Sequence, residues 1–359
     1  MTNLSDLPIR DSLKGREPYG APQLHVPVAL NVNENTHRIP EAVAVDIIGR
    51  IAAAVLEINR YPDREFMALR KALAEYLGHS LVPDQIWAAN GSNEVIQQIF
   101  QAFGGPGRKA MGFGPTYSMY SIIARGADTD YVDAERSERY ELDVETALVG
   151  MREHNPNITL ICSPNNPTGT PVSLEVIKAV YDATDGIVVV DEAYAEFAAD
   201  GTQSALTLLP GRPRLMVSRT MSKAFAFAGA RVGYLAADAA VVDALRLVRL
   251  PYHLSAFTQA AAEAALAHAP LMLEAVADIR VQRDRIVAEL AQMGLDPYRS
   301  DSNFVLFGGL DNPDAVWQQL LDRGVLVRNV GIANTLRVSA GTQTETDKFL
   351  SSLREVLHG

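Results

Sequence analysis

The chain is almost without cysteine: there is one, Cys162, in 359 residues. A single cysteine closes no internal disulfide, so the fold has to be held by its core. The run ITLICSPNN around it reads as the end of a buried strand, and a packing role is preferred there to a nucleophile for which no base can be named. Long apolar runs are missing as well. None reaches the roughly 18 residues needed to cross a bilayer, and the opening MTNLSDLPIRDSLKG has no apolar signal core. The expectation is a cytoplasmic protein with no membrane partner. Positive charge is also in short supply: 32 Lys and Arg against 43 Asp and Glu give a net charge of −11. That balance argues against a nucleic-acid partner, because phosphate-backbone affinity relies on many Lys and Arg displacing counterions. It leaves room for a local basic pocket that takes a small anion.

What is present is ordinary for a folded protein, with 48% apolar and 21% charged residues. The length suits two linked domains of roughly 100–200 residues each. The first 30 residues carry four prolines and two glycines with little periodicity, and read as an extended arm laid over the rest. From Pro40 the pattern becomes helical in EAVAVDIIGRIAAAVLEI and again in REFMALRKALAEYLG, separated by the turn NRYPD. Short apolar runs then follow: IWAA, KAMGF, TDYV, ITLIC, GIVVVD, RLMVS and VGYLAA. They alternate with amphipathic segments such as NEVIQQIFQAF and SLEVIKAVYDAT. The alternation predicts an α/β fold over residues 31–250, with a mainly parallel central sheet flanked by helices. Beyond residue 250 the texture changes to Ala- and Leu-rich helices, then SNFVLFGG, GVLVRNV and TLRVSA with the helix DAVWQQLLDRG among them. Residues 251–359 therefore read as a smaller α/β domain.

Four segments carry chemistry. GSNE (Gly91–Glu94) sits between IWAA and a helix; a glycine turn opening a helix presents free N–H groups and the positive end of the helix dipole, which suits a phosphate. The alternative is that Ser92 simply caps the helix. SPNNPTG (Ser163–Gly169) follows a buried strand at its carboxyl end, where open parallel sheets place ligands; the alternative is a plain turn. GIVVVDEAYAEF puts Asp191 at the end of a strand apolar enough to be central, and a carboxylate there needs a cation or strong donor. A protonated pyridine nitrogen would serve, with Tyr194 close by. A helix cap or ion pair for Asp191 and core packing for Tyr194 are the alternatives. SRTMSKAFAFAGARVG (Ser218–Gly233) holds Lys223 among small and apolar residues, where desolvation favours a neutral, reactive amine. Thr220, Ser222 and Arg231 near it offer hydroxyls and a guanidinium fork for a phosphate.

SPNNPTG and SRTMSKAFAFAGARVG resemble the Asn-Pro-Thr-Gly and Ser-Lys signatures of the aspartate-aminotransferase superfamily, whose members bind pyridoxal phosphate. The likeness extends along the chain in PYGAP (18–22), LNVNEN (30–35), NRYPD (59–63), GPTYSMY (114–120), LPYHLSA (250–256) and LRVSAGT (336–342). In that order and spacing they resemble the histidinol-phosphate aminotransferases of histidine biosynthesis. The resemblance implies a fold type I enzyme, a homodimer, with pyridoxal 5'-phosphate as cofactor and no metal. It implies Lys223 as the Schiff-base lysine and general base, Asp191 on the pyridine nitrogen, Asn166 and Tyr194 on the phenolic oxygen, and Tyr117 stacked on the ring. Ser92, Asn93, Thr220, Ser222 and Arg231 would hold the cofactor phosphate, with Tyr61 reaching in from the second subunit; a buried hairpin aromatic is the alternative for Tyr61.

The implied substrates are histidinol phosphate and the pair glutamate and 2-oxoglutarate, so one pocket must take a phosphate or a carboxylate, a task suited to arginine. Arg337 and Arg328 resemble the family's anion-binding arginines, and Tyr19 and Tyr252 its phosphate-binding tyrosines. Asn33 and Glu34 fall where the imidazole would lie. A surface charge for Arg328 and a strand-edge ion pair for Arg337 are the alternatives. Ser92-Asn93 replaces the commoner Ala-Asp, NENTHRIP lacks a usual proline, and Ser339-Ala340 replaces Thr-Val or Thr-Ile. These departures bear on substrate preference. Rival readings are an aromatic amino-acid aminotransferase, a lyase of a phosphorylated amino acid using the same cofactor, and a non-catalytic binding or regulatory protein. The last conflicts with an intact Asp191, Tyr194, Lys223 and Arg231 and with the lack of an appended DNA-binding segment.

Overall fold

The structure is a computed structural model that describes residue 3 and residues 6–17 and 19–358; residues 1, 2, 4, 5 and 18 of the expected arm, and residue 359, lie outside the described residues. In chain order the elements are β1 (Val28–Ala29), α1 (Glu41–Leu56), α2 (Met67–Leu77), β2 (Ile86–Ala89), α3 (Ser92–Phe103), β3 (Lys109–Phe113), α4 (Met119–Gly126), β4 (Asp130–Ala134), α5 (Val144–His154), β5 (Ile158–Cys162), α6 (Leu174–Asp182), β6 (Ile187–Asp191), β7 (Leu215–Thr220) and β8 (Gly233–Ala237). They continue with α7 (Ala239–Val248), α8 (Ala256–Ala267), α9 (Ala269–Met272), α10 (Glu274–Gln292), β9 (Asp296–Pro297), β10 (Phe304–Gly308), α11 (Pro313–Asp322), β11 (Val325–Leu326), β12 (Leu336–Ser339) and α12 (Gln343–His358).

Seven strands form the central sheet in the order β2-β8-β7-β6-β5-β3-β4. All neighbours are parallel except at β8, which runs antiparallel to both β2 and β7. The expected mainly parallel sheet is thus present. Its apolar strands are continuous because both faces are covered: every residue of β5 is buried, and Val188, Val189 and Val190 have no exposed surface. Parallel strands separated by helices all end at the same edge. That edge gathers the turns after β2, β3, β5, β6 and β7, and β8 starts from it. GSNE, GPTYSMY, SPNNPTG, Asp191 and SRTMSK therefore meet in space although they are far apart in sequence.

Short polar residues start several of the helices. Asp143, Ser173, Asp238, Ser255 and Asn312 each accept a backbone N–H from the first turn of α5, α6, α7, α8 and α11. The helix expected over REFMALRKALAEYLG begins only at Met67. Phe66 before it is left-handed (φ 39°), and Asp63 takes the N–H groups of Glu65 and Met67 at 3.0 and 2.8 Å.

The C-terminal part carries an antiparallel sheet, β12-β10-β9, with α10, α11 and α12 against it and against β11. Of the expected strand GVLVRNV only Val325–Leu326 is a regular strand, paired in parallel with β1, and Arg328 adds one bridge to Arg337. The arm is thereby tied to the C-terminal part at Val28 and Ala29. Helix α8, just past residue 250, packs on α1 and α2. No single helix among the described residues is long and apolar enough to cross a membrane.

Candidate active site

The strand-end edge of the sheet opens into a cavity of about 980 Å³ whose lining includes Tyr19, Asn33, Glu34, Ser92, Asn93, Tyr117, Asn166, Asp191, Tyr194, Thr220, Ser222, Lys223, Arg231, Arg328 and Arg337. Fifteen of the seventeen side chains expected at the site therefore share one space. The other two, Tyr61 and Tyr252, stack on each other at 4.4 Å between ring centroids and 12° between planes, outside this cavity.

The floor is built by strand ends. Asp191 closes β6 and is buried; its Oδ2 accepts the Tyr120 hydroxyl at 2.7 Å and its Oδ1 the Ser218 hydroxyl at 3.2 Å. Burial pushes this carboxyl up from its ordinary value, and the two hydroxyl donors pull the other way. Both donors are neutral. A buried carboxylate so placed has a use for a cationic N–H donor from the cavity side. Ser218 is the Cα partner of Asp191 across β6 and β7. Strand residues alternate faces, so Glu192 and Arg219, one position on, point the other way and pair at 2.7 Å.

One end of the cavity is an anion cradle. Ser92 and Asn93 are the first residues of α3, after Gly91 as the N-cap, and their N–H groups belong to the unpaired first turn. Ser92 does not cap the helix with its side chain; Asn90 instead gives its N–H to Glu94 at 2.6 Å. Gly91 adopts φ +88°, and a Cβ there would lie 2.3 Å from an Arg231 guanidinium nitrogen. A Cβ on Gly233 would lie 2.1 Å from the Ser92 nitrogen. Both glycines are thus required for β8 and Arg231 to close on the turn. Thr220 Oγ1 lies 2.9 Å from Ser222 Oγ and accepts the Ser222 N–H at 3.1 Å, placing Ser222 at this end.

Lys223 projects from the loop after β7, and its amine donates to the Val32 carbonyl at 3.0 Å. Burial, with the positive charge of Arg337 next, holds it down at about 8, while Glu34 opposes and Arg231 assists. A substantial neutral fraction near neutral pH makes it a nucleophile and base. Tyr194 faces the same space. Its hydroxyl accepts Asn33 Nδ2 at 3.0 Å and Asn166 Nδ2 at 3.2 Å, and burial pushes it upward, so it stays a phenol that can donate to an oxygen. Tyr117, likewise pushed up to about 12 mainly by burial, is held by Asn93 at 3.2 Å and presents its ring over the cavity.

The opposite end is cationic. Arg337, on β12, is 7% exposed, donates to Asn166 Oδ1 and to the Asn31 carbonyl, and stacks over Phe304 at 5.0 Å. Its Nε is buried without a partner among the described residues. An unpaired donor on a buried guanidinium suits an incoming anion. The Arg328 guanidinium donates to the Gly20 carbonyl at 3.4 Å, and Tyr19 is 54% exposed at the rim. Asn33 is committed to Tyr194, to the Ser339 hydroxyl and to Asn303. The sequence reading missed Tyr120, Ser218 and the Val32 carbonyl. Tyr120 stands three residues after Tyr117 in GPTYSMY, and that spacing is the only trace of it in the sequence.

Side by side these groups can hold a phosphate at one end, a ring with a protonated nitrogen over Asp191, an oxygen at Tyr194 and Asn166, a carbonyl within reach of Lys223, and a second anion at Arg337. Comparison with known proteins points the same way. A model of the class I and II aminotransferases matches residues 26–353. The chain is 62% identical over 362 residues to the histidinol-phosphate aminotransferase of Paenarthrobacter aurescens, covering 100% of this chain and 97% of that one. With the protein of the same name from Frankia casuarinae the identity is 56% over 362 residues, covering 98% and 91%. Among solved structures, the histidinol-phosphate aminotransferase of Sinorhizobium meliloti in complex with pyridoxal-5'-phosphate matches with a TM-score of 0.82 at 26% identity, covering 93% and 91%.

Proposed function

Because the chain belongs to the class I and II aminotransferases, we infer that it moves the amino group reversibly between L-histidinol phosphate and 2-oxoglutarate, using pyridoxal 5'-phosphate, as a step of histidine biosynthesis. The observation that carries this reading is the cavity with an anion cradle at each end and a low-pKa lysine between them.

The residues fit the cofactor. Its phosphate matches the α3 N-terminus with Ser92, Asn93, Ser222 and Arg231. The glycines at 91 and 233, where any Cβ would collide, keep that cradle tight. Asp191 meets the ring nitrogen, Asn166 and Tyr194 the ring oxygen, and Tyr117 a ring face. When bound, pyridoxal phosphate supplies an electron sink for the substrate's α-carbanion. The Lys223 amine would hold the cofactor and, when free, would be the base that moves a proton at the substrate α-carbon. Asp191 would favour the protonated form of the ring nitrogen. Arg337, with Arg328 and Tyr19, receives the substrate phosphate or the distal carboxylate of glutamate, and Asn33 and Glu34 lie toward the imidazole.

The working unit in this reading is a cytoplasmic homodimer. Val45, Ile48 and Leu56 on α1 and Leu247 and Leu250 near Tyr252 are large apolar side chains left exposed, a pattern that marks an interface. Tyr61, stacked on Tyr252 away from its own cavity, would reach the cofactor phosphate of the second subunit's site. Each subunit divides into an arm to residue 30, a cofactor domain over 31–250 and a C-terminal domain over 251–359, with α8 resting on the cofactor domain. The test is product formation: purified protein with pyridoxal phosphate, histidinol phosphate and 2-oxoglutarate should yield glutamate, and the absence of any amino transfer would overturn the reading.

A further inference from the structure

Behind Asp191 lies a tyrosine that no step above uses. Tyr120 is fully buried and is not among the residues lining the cavity. It sits in the first turn of α4, its N–H donating to the Tyr117 carbonyl at 3.1 Å, and its ring meets the Tyr117 ring edge-on at 5.4 Å and 89°. The same short loop therefore delivers one aromatic to the cavity and another to the back of the carboxylate. The Tyr120 hydroxyl reaches Asp191 Oδ2 at 2.7 Å, shorter than the 3.2 Å contact of Ser218 on the other oxygen. A phenol so deeply buried, beside a carboxylate, resists ionisation, so it donates over the working pH range.

Building on the cofactor reading above, we propose that Tyr120 is a positioning residue, which orients and helps keep charged the Asp191 carboxylate that receives the cofactor's ring nitrogen. A carboxylate has about four acceptor positions. Ser218 and Tyr120 occupy one on each oxygen from the protein side, so the remaining lone pairs are directed by them. A phenylalanine at 120 fills nearly the same space and keeps the edge contact with Tyr117, so Tyr120→Phe removes the hydrogen bond with little change in packing.

The experiment titrates pyridoxal phosphate into cofactor-free wild type, Tyr120→Phe, Asp191→Asn and the double variant, following intrinsic fluorescence for affinity and the absorption spectrum of the bound cofactor. Tyr120→Phe should weaken binding by about tenfold, the size expected for a lost hydrogen bond to a charged group. It should also move the cofactor spectrum toward that of Asp191→Asn. In the Asp191→Asn background the same substitution should cost less than about threefold, since the group it acts through has changed. Equal losses in both backgrounds, or a Tyr120→Phe protein with wild-type affinity and spectrum, would overturn the proposal. Melting temperatures of the cofactor-free forms separate a folding defect from loss of positioning, and if Asp191→Asn binds too weakly to titrate, the Tyr120→Phe spectrum decides. Wild-type protein that takes up no pyridoxal phosphate would instead refute the function on which the proposal rests.

Discussion

The two ends of the cavity are built differently. At the inner end Asp191, Tyr194, Thr220 and Ser222 are buried and stand on or just beyond the ends of central strands; Tyr120 and Ser218 hold Asp191, Asn166 holds Tyr194, and Thr220 holds Ser222, through bonds of 2.7–3.2 Å. At the mouth Tyr19 and Glu34 are exposed and the Arg328 guanidinium has a long contact to the Gly20 carbonyl; they stand on the arm, the segment just after it and the C-terminal part. Chemistry is thus carried by the stiffest part of the fold, where a displaced group cannot be tolerated. The rim of the cavity is left to segments with few bonds of their own. Arg337 joins the two, since it is buried like the first set yet lines the same cavity as the second, and its bond to Asn166 links the anion site to a residue proposed above to meet the cofactor's ring oxygen.

The contrast can be broken by substitution. Lys223→Ala should have the largest effect, lowering the half-reaction with glutamate, followed by single-turnover absorbance, by at least about 10³-fold. A loss below tenfold would mean that another group is the base. Arg337→Lys removes the planar fork and should reduce kcat/KM for histidinol phosphate and for glutamate alike by about 10²-fold. Arg328→Gln should cost less than about tenfold in steady-state assays. If the order of the two arginines were reversed, the mouth and not the buried Arg337 would govern anion binding.

The smallest effect is on pH. The Lys223 ammonium is held near 8, chiefly by burial, so only below that pH is the amine mostly charged and unreactive. The rate at which cofactor-free enzyme captures pyridoxal phosphate in stopped-flow should rise roughly tenfold per pH unit below about 8 and then level off. Glu34→Gln removes the one acidic neighbour that supports the charged form, so its midpoint should move to lower pH. A midpoint that stays fixed or moves up would remove Glu34 from the electrostatics of the site.

The same contrast separates what was legible in the sequence from what was not. β5, β6 and β7 were readable because a strand buried on both faces must be a continuous apolar run, and the motif residues follow such runs directly. The reversed direction of β8 was not, since VGYLAA has the same pattern whichever way it runs. Tyr61 and Tyr252 could be singled out only one at a time; their stacking depends on how α8 and the turn before α2 come together, across about 190 residues of chain. Tyr120 was hidden for a different reason. An aromatic in the first turn of an amphipathic helix looks like core, and only the position of Asp191 at the end of β6 gives its hydroxyl a task.

The central claim is that the anion site at Arg337 selects a phosphorylated amine. It is tested most directly by comparing histidinol phosphate with phenylalanine as amino donors to 2-oxoglutarate at steady state. The account predicts a kcat/KM for histidinol phosphate at least about 10²-fold higher, the discrimination expected when a buried guanidinium is left unpaired by the wrong substrate. Equal values, or a preference for phenylalanine, would contradict it.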